Sequence, residues 1–487
     1  MAILGPDGKP ISKGTQPKPE VVEMLNKIKS TEEQGGLALA LQQMAAVFQF
    51  DVTSDSVLET ACNLLERMHQ EQVNTYKQLP LDQRRQIEAP VDEEAKIFRV
   101  LRENASSPQA YYDVATRFFR LGQAVISRPF YVHALTLLGK EQSELSQNAS
   151  VEYAQVMMEL GGYKECADIL QNLNDTYGGL PVELILKMTE CYALLRRMPE
   201  ADTLYSVITK EATADNPALE EWREETGDLL ARVHDFDDRE VMGLREWHYV
   251  QTRGLLLATN TDANMPGERY AFCAPPISDI ARIIAITSAF LDIRGYAPNR
   301  LLWLGERSEV LARLFAEWWE IDEEDIRPYQ AGDNTDDEDN LALLVMSHTS
   351  DMLSLPDEEA LFELYEARAG LITFALNVQW TDRQPITPDI TGMLSQMCYL
   401  PWEANVAMDN HGNVNITPLE ETPDARTLAK QMAQFFPSDE ECDSDAQRLG
   451  EVYGGCTDLI VDHRDGELFR KSLVTHSPVP SPQLSFG

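Results

Sequence analysis

The stretch VEYAQVMMELGGYKECADILQNL, residues 151–173, decides how the first half of this chain is read. Its small residues Ala154 and Cys166 flank a Leu160-Gly161-Gly162 break. Met157 follows the first of them, and Leu170 and Leu173 the second, at three- and four-residue steps. Such spacing predicts two helices folded back on each other around a glycine turn. The register repeats 39 residues earlier and 35 residues later, relating Ala115, Ala154 and Thr189, then Ser127, Cys166 and Ala201. Phe118, Met157 and Tyr192 obey the same offsets, as do Tyr131, Leu170 and Tyr205, and Ala134, Leu173 and Ile208. The physical cause is close approach: paired helices nestle only where small side chains face each other, and the bulkier residue one turn on fills the gap between successive hairpins.

This pattern resembles the tetratricopeptide repeat, a helical hairpin of about 34 residues with small residues in both helices. Leu121-Gly122 and Leu160-Gly161-Gly162 stand at the turns, Arg196 takes the glycine's place in the third unit, and Ser127 and Thr189 replace alanine. A weaker fourth unit runs through Trp222, Gly227, Leu230 and Phe236. The resemblance implies hairpins across residues 106–250, stacked into a superhelix whose first helices line a concave groove. Tyr112, Thr116, Phe119, Glu152, Gln155, Lys187 and Glu190 would then face a protein or peptide partner. Family members that grip a C-terminal carboxylate use clustered Lys, Arg and Asn, a clamp this chain lacks. Self-association, or packing on the chain's own second half, is the other use of such a face.

Around the repeats, residues 1–20 are rich in Gly and Pro with little to bury, which predicts a flexible or draped tail. Residues 21–105 read as a helical cap over the first repeat. Val22, Leu25 and Ile28, then Leu37, Leu39, Leu41, Met44 and Val47, and later Leu58, Cys62, Leu65 and Met68 recur at helical steps. Thr53-Ser54-Asp55 opens the last of these helices.

Past residue 250 the pattern changes. Aliphatic and aromatic runs at 300–304, 341–346 and 371–378 alternate with amphipathic segments at 309–319 and 357–369. Strands spaced by helices predict a mainly parallel sheet covered by helices, over residues 251–420. The expected fold class is thus α + α/β, an all-α superhelix followed by an α/β domain. The acidic run at 333–340 lacks the turn glycine and distal glutamate of a calcium loop, so a solvated loop is expected there, and no metal site. Residues 421–487 are an extension: a helix at 427–436, an acidic loop at 439–445, a short strand at 456–461 and a proline-bearing tail.

Read in order, a strand runs into Gly305-Glu306-Arg307-Ser308, and a second into Ser347-His348-Thr349-Ser350-Asp351. Pro388-Asp389-Ile390-Thr391-Gly392 and Leu400-Pro401-Trp402-Glu403 follow. This succession resembles a purine-type phosphoribosyltransferase, in which the first loop wraps pyrophosphate and the second cradles a ribose phosphate. Another Rossmann-like domain would give the same alternation, but Leu302-Trp303-Leu304-Gly305 is followed by no second or third glycine. Phosphate loops need backbone N–H groups aimed at the anion, hence glycine and small hydroxyl residues at a helix N-terminus. Here Ser347-His348 stands where the family carries two adjacent carboxylates, the closing glycine is missing, and Glu309 places negative charge beside the first loop.

The resemblance therefore implies an inactive, structural or ligand-sensing domain, with no cofactor expected. The alternative is an enzyme acting on a nucleotide or nucleoside, with magnesium, through Arg307, Ser308, Ser347, His348, Thr349, Ser350 and Asp351. For His348, ordinary loop hydrogen bonds are expected rather than a nucleophile–base pair. Trp318-Trp319 reads as core and interface, and Asp409-Asn410-His411-Gly412 as a hairpin turn.

Forty-one basic against eighty acidic residues give a formal charge of −39, which repels phosphate backbones and anionic lipid. Neither nucleic acid nor membrane is expected as a partner. No apolar run approaches the length of a bilayer span and no secretory signal is seen, so the cytoplasm is the expected compartment. The seven cysteines have no CxxC pair and are expected as reduced thiols. The expected function is an interaction scaffold.

Overall fold

The computed structural model describes residues 17–80, 84, 92–139, 142–208, 216–257, 269–333, 337, 340–355, 358–365, 370–379, 386–408, 414–419 and 424–453. The turn expected at 409–412, the strand at 456–461 and the tail at 476–487 lie outside these residues. The chain divides into two compact units, Met1–Glu220 and Glu221–Gly487, the first helical and the second built on a parallel sheet. Among the described residues no helix is long and apolar enough to cross a membrane.

The first unit opens with α1 (Pro19–Glu33), α2 (Leu37–Phe50), α3 (Asp55–Gln78) and α4 (Glu93–Glu103). Pro19 starts α1 inside the expected tail, because a first helical position has no use for the N–H that proline lacks. The buried stripe of α1 is Val21, Leu25 and Ile28, while Val22 and, on α2, Leu39 face solvent. Phe48 of α2 and Phe98 of α4 stack at 5.7 Å, and both meet Phe130 edge-on at 5.1 and 5.7 Å, tying these helices to the next pair.

That pair is α5 (Pro108–Arg120) and α6 (Ala124–Leu138), followed by α7 (Glu144–Glu159) with α8 (Tyr163–Tyr177) and α9 (Val182–Leu194) with α10 (Met198–Ser206). Short connections make each pair antiparallel neighbours, and the second helix of each of the first two pairs also packs on the next pair. Ser107 and Ser143 cap α5 and α7 through hydrogen bonds from Ala110 N and Ser146 N. Ala115, Ala154, Thr189, Ser127, Cys166, Ala201, Tyr131, Leu170 and Ala134 are all fully buried.

The turns agree in detail. Gly122, Gly161 and Arg196 adopt φ of 73°, 72° and 56°. In each, the next amide reaches back to the helix, Gln123 N to Phe118 O, Gly162 N to Met157 O and Arg197 N to Tyr192 O, at 2.7–2.9 Å. A left-handed residue is what lets these last carbonyls find donors, and glycine takes that conformation without steric cost. Arg196 takes it with a Cβ.

The second unit opens with α11 (Pro217–His234), whose first residues precede the boundary, and α12 (Leu244–Thr252). The fourth repeat expected through Trp222, Gly227, Leu230 and Phe236 falls here. These helices pack on each other, Arg232 Nε donating to Val250 O at 2.8 Å and Tyr249 meeting Phe236 edge-on, and reach the sheet where Arg245 Nε donates to Leu256 O at 3.2 Å.

The sheet comprises β1 (Leu255–Leu256), β2 (Arg269–Cys273), β3 (Arg300–Leu304), β4 (Ile326–Pro328), β5 (Ala342–His348), β6 (Leu371–Gln379) and β7 (Ile390–Cys398). All are parallel, in the order β1-β7-β6-β5-β3-β4, with β2 beside β7 further along its length. α13 (Ile277–Arg294) leads from β2 to β3, α14 (Glu309–Trp319) from β3 to β4, and α15 (Glu358–Tyr365) from β5 to β6.

A separate hairpin pairs β8 (Ala404–Met408) with β9 (Val414–Pro418), and α16 (Ala425–Ala433) and α17 (Asp439–Tyr453) follow. The acidic loop expected at 439–445 is instead the start of α17. Ser438 and Glu441 exchange hydrogen bonds as a capping box, Ser438 N to Glu441 Oε2 at 3.1 Å and Glu441 N to Ser438 Oγ at 3.4 Å. Acidic side chains in a first turn favour a helix.

Trp318 and Trp319 both donate their indole N–H to Asp292, at 3.1 and 2.8 Å, and Trp319 stacks on Phe315. They are packing elements between α13 and α14.

Candidate functional site

Strand β3 pairs with β4 on one side and β5 on the other, so the chain reverses its direction of travel across the sheet at β3. At such a switch point the loops leaving the carboxyl ends of the two strands diverge, and in open α/β sheets ligands bind in the resulting crevice. Gly305–Ser308 leaves β3 there and His348–Asp351 leaves β5. The structure therefore brings together the two loops singled out in the sequence.

What fills the crevice is a side chain of the protein itself. Asp351, nearly fully buried, accepts through Oδ2 from Ser308 Oγ and Ser347 Oγ, both at 2.8 Å, and from the amides of Ser347 and His348, both at 3.1 Å. Its Oδ1 accepts from Arg307 Nε at 2.7 Å. Two backbone amides, two hydroxyls and a guanidinium converging on one anion are the donor set that a phosphate would want, and a carboxylate holds it. Gly305 completes the fit: its φ is +80°, and a Cβ there would stand 3.0 Å from Asp351 Cγ.

Arg307 spans three segments. Besides Asp351 it donates through Nη1 to Glu403 Oε1 at 2.9 Å and through Nη2 to Ser350 Oγ at 2.8 Å, and its carbonyl accepts from Trp402 Nε1 at 3.1 Å. Burial works against its charge, but the two carboxylates more than restore it, so its affinity for the proton rises above the ordinary guanidinium value. Glu403 and Trp402 were not among the predicted site residues; their signal was the Pro-Trp-Glu ending.

His348 Nδ1 accepts from Ser350 N at 3.0 Å and lies 2.7 Å from Ser350 Oγ. Because the Ser350 amide donates to it, Nδ1 is an acceptor, so the Ser350 hydroxyl also donates to it and the imidazole carries its hydrogen on Nε2. Burial, then the neighbouring Arg307 charge, lower the His348 pKa below its usual value and favour this neutral form. His348 thus caps the short 3-10 turn Thr349–Ser354. Thr349 is buried with its hydroxyl unpartnered. Among the described residues no cluster of three or more His, Cys, Asp or Glu is placed to hold a metal.

In the first unit, Tyr112 and Thr116 of α5 reach Glu152 of α7, donating at 2.8 and 2.7 Å, and the Tyr131 hydroxyl of α6 donates to the same carboxylate. Burial first, then the Glu152 hydrogen bond, push Tyr112 up to about 12 and Tyr131 higher still. Three of the predicted groove residues thus form one polar knot joining consecutive helix pairs. Phe119, Gln155 and Glu190 are half-buried; Lys187 is largely covered, and burial lowers its pKa. No protein-family model matches the chain, and no curated protein sequence is significantly similar to it.

Proposed function

We propose that the chain is an interaction scaffold, in which a tetratricopeptide-like stack of helix pairs grips a protein or peptide partner and the α/β unit is a non-catalytic structural or ligand-sensing module. Support for the stack comes from the matched positions, buried at the same register in three successive pairs apart from the half-buried Tyr205, and from the shared left-handed turn. The observation that carries the whole reading is Asp351. Its carboxylate takes up the amides and hydroxyls with which such loops grip phosphate, so the phosphoribosyltransferase-like chemistry has no seat for its substrate's anion.

The partner face would be the first helices of the pairs, around Tyr112, Phe119, Gln155 and Glu190. Tyr112 and Lys187 are built into the packing, so the informative surface changes are Phe119→Glu and Gln155→Lys. Affinity capture from an extract of the source cells, with these variants beside the unaltered protein, should lose the same specific partners in both. An unchanged set of partners would remove the groove from the account.

A second reading, an enzyme acting on a nucleotide or nucleoside with magnesium, draws on the 2.7 Å approach of Ser350 Oγ to His348 Nδ1, the geometry of a nucleophile and its base. It is the weaker one, because the Ser350 amide shares the same nitrogen and Asp351 approaches the His348 amide, not the imidazole.

A further inference from the structure

Cys273 ends β2 and Cys398 ends β7, and the two are direct partners in the register of neighbouring parallel strands, where Tyr399 N donates to the Cys273 carbonyl at 3.1 Å. Neighbouring strands lie about 4.8 Å apart, within the roughly 4.4–6.8 Å between α-carbons that a disulfide spans. Cys273 Sγ also donates to Met393 Sδ at 3.4 Å, and neither cysteine side chain is fully buried. Nothing in the scaffold reading uses them. We infer that Cys273 and Cys398 form a thiol–disulfide site oxidised by a hydroperoxide, with Cys273 as the attacking sulfur and Cys398 as the resolving one.

The assignment of roles follows from the register pairing, which sets the two thiols side by side and pulls them in opposite directions. The neighbouring Cys398 side chain, against burial, holds the Cys273 thiol below its ordinary pKa; Cys273, then burial, raise Cys398. Cys273 thiolate attacks one peroxide oxygen, the O–O bond breaks, and hydroxide or alkoxide departs, leaving a sulfenic acid. Cys398 sulfur then attacks Cys273 sulfur; the S–O bond breaks, and the hydroxyl leaves with the Cys398 proton as water. Two thiols give up two electrons, and the hydroperoxide becomes water or an alcohol plus water. The chain continues from Cys398 to Glu403, which accepts from Leu400 N and from Arg307, so the bridge would fasten β2 to the strand that carries this clasp.

Cys166 and Cys191 provide an internal contrast. They too lie on packed helices, but both are fully buried in the first unit, so peroxide is expected to spare them.

The test treats the full-length protein with hydrogen peroxide at neutral pH, blocks free thiols by alkylation and maps peptides without reduction. The expected product is a Cys273–Cys398 cross-link, about 2 Da lighter than the dithiol and reversed by dithiothreitol, with Cys166 and Cys191 still reduced. Cys398→Ser should stop at a Cys273 sulfenic acid that dimedone captures, and Cys273→Ser should consume peroxide about tenfold more slowly. Cys273 and Cys398 remaining reduced in excess peroxide, or a Cys273→Ser rate equal to that of the unaltered protein, would overturn the inference. The map of the unaltered protein decides the matter if either variant loses its circular-dichroism signal.

Discussion

Ser308 and Asp351 meet at 2.8 Å where the loops after β3 and β5 converge, and the Ser308 oxygen in turn accepts from Ser347 N at 2.7 Å. The hydroxyl therefore stitches one loop to the other through a carboxylate. Each donor in this cluster is satisfied by the chain, which is how a crevice that would otherwise call for an anion is closed from within.

Asp351→Asn keeps the size of the side chain but removes the charge facing Arg307 and turns one acceptor into a donor opposite amides and hydroxyls. Truncating one partner of a dry ion pair costs about 3–5 kcal/mol; since Arg307 keeps contact with water, about 2–4 kcal/mol is expected. Urea denaturation with an unchanged slope would measure it. A loss under about 0.5 kcal/mol would mean that the cluster is not the internal lock described.

Arg196 occupies, with φ of 56°, the turn position that glycine holds in the two preceding pairs. A left-handed non-glycine residue costs about 1–2 kcal/mol, of which glycine's extra freedom in the unfolded chain returns roughly 0.5–1. Arg196→Gly should therefore raise the stability of the first unit by about 0.5–1 kcal/mol, seen as a higher midpoint in thermal melting. A lower midpoint would show that the contacts of the arginine side chain outweigh its backbone strain.

The tyrosines of the first unit set an alkaline limit. Burial holds Tyr111 up to about 12, and burial with carboxylate hydrogen bonds does the same for Tyr112 and Tyr153. With a folded pKa above the unfolded value of 10, these groups keep their protons in the native state where the unfolded chain has lost them. Their stabilisation is complete below pH 10 and is lost as pH rises towards 12. Absorbance at 295 nm should show these phenolates appearing together with the loss of helical circular dichroism; ionisation while the helices persist would contradict the buried knot around Glu152. Tyr131→Phe should cost about 1–3 kcal/mol by leaving Glu152 and Thr116 short of a partner.

Much of the architecture was legible because it rests on spacing. The helix pairs follow from small residues at matched intervals, and β3, β5 and β6 from unbroken aliphatic runs. Strand β7 was not, because Thr391 and Gly392 interrupt its apolar run; yet Gly392 is required, since a Cβ there would lie 2.6 Å from Leu376 O. At the start of α17 charge alone points to a loop, whereas its capping serine and glutamate point to the helix that forms. Of the site, the loop residues could be named from their positions after strands, but the role of Asp351 could not. A carboxylate reads the same in sequence whether it binds a ligand or stands in for one; only the convergence of Ser308, Ser347 and Arg307 on it tells them apart.

The central claim is that Asp351 occupies the place of an external anion, and ligand-dependent thermal melting of the unaltered protein beside Asp351→Ala tests it most directly. With phosphate, or with phosphoribosyl pyrophosphate and magnesium, the unaltered protein should melt unchanged. The variant, its donors vacated, should be stabilised, approaching about 2.7 kcal/mol at a hundredfold excess over its dissociation constant. Stabilisation of the unaltered protein by phosphoribosyl pyrophosphate or a nucleotide, with none in the variant, would contradict the account and make Asp351 part of a working ligand site.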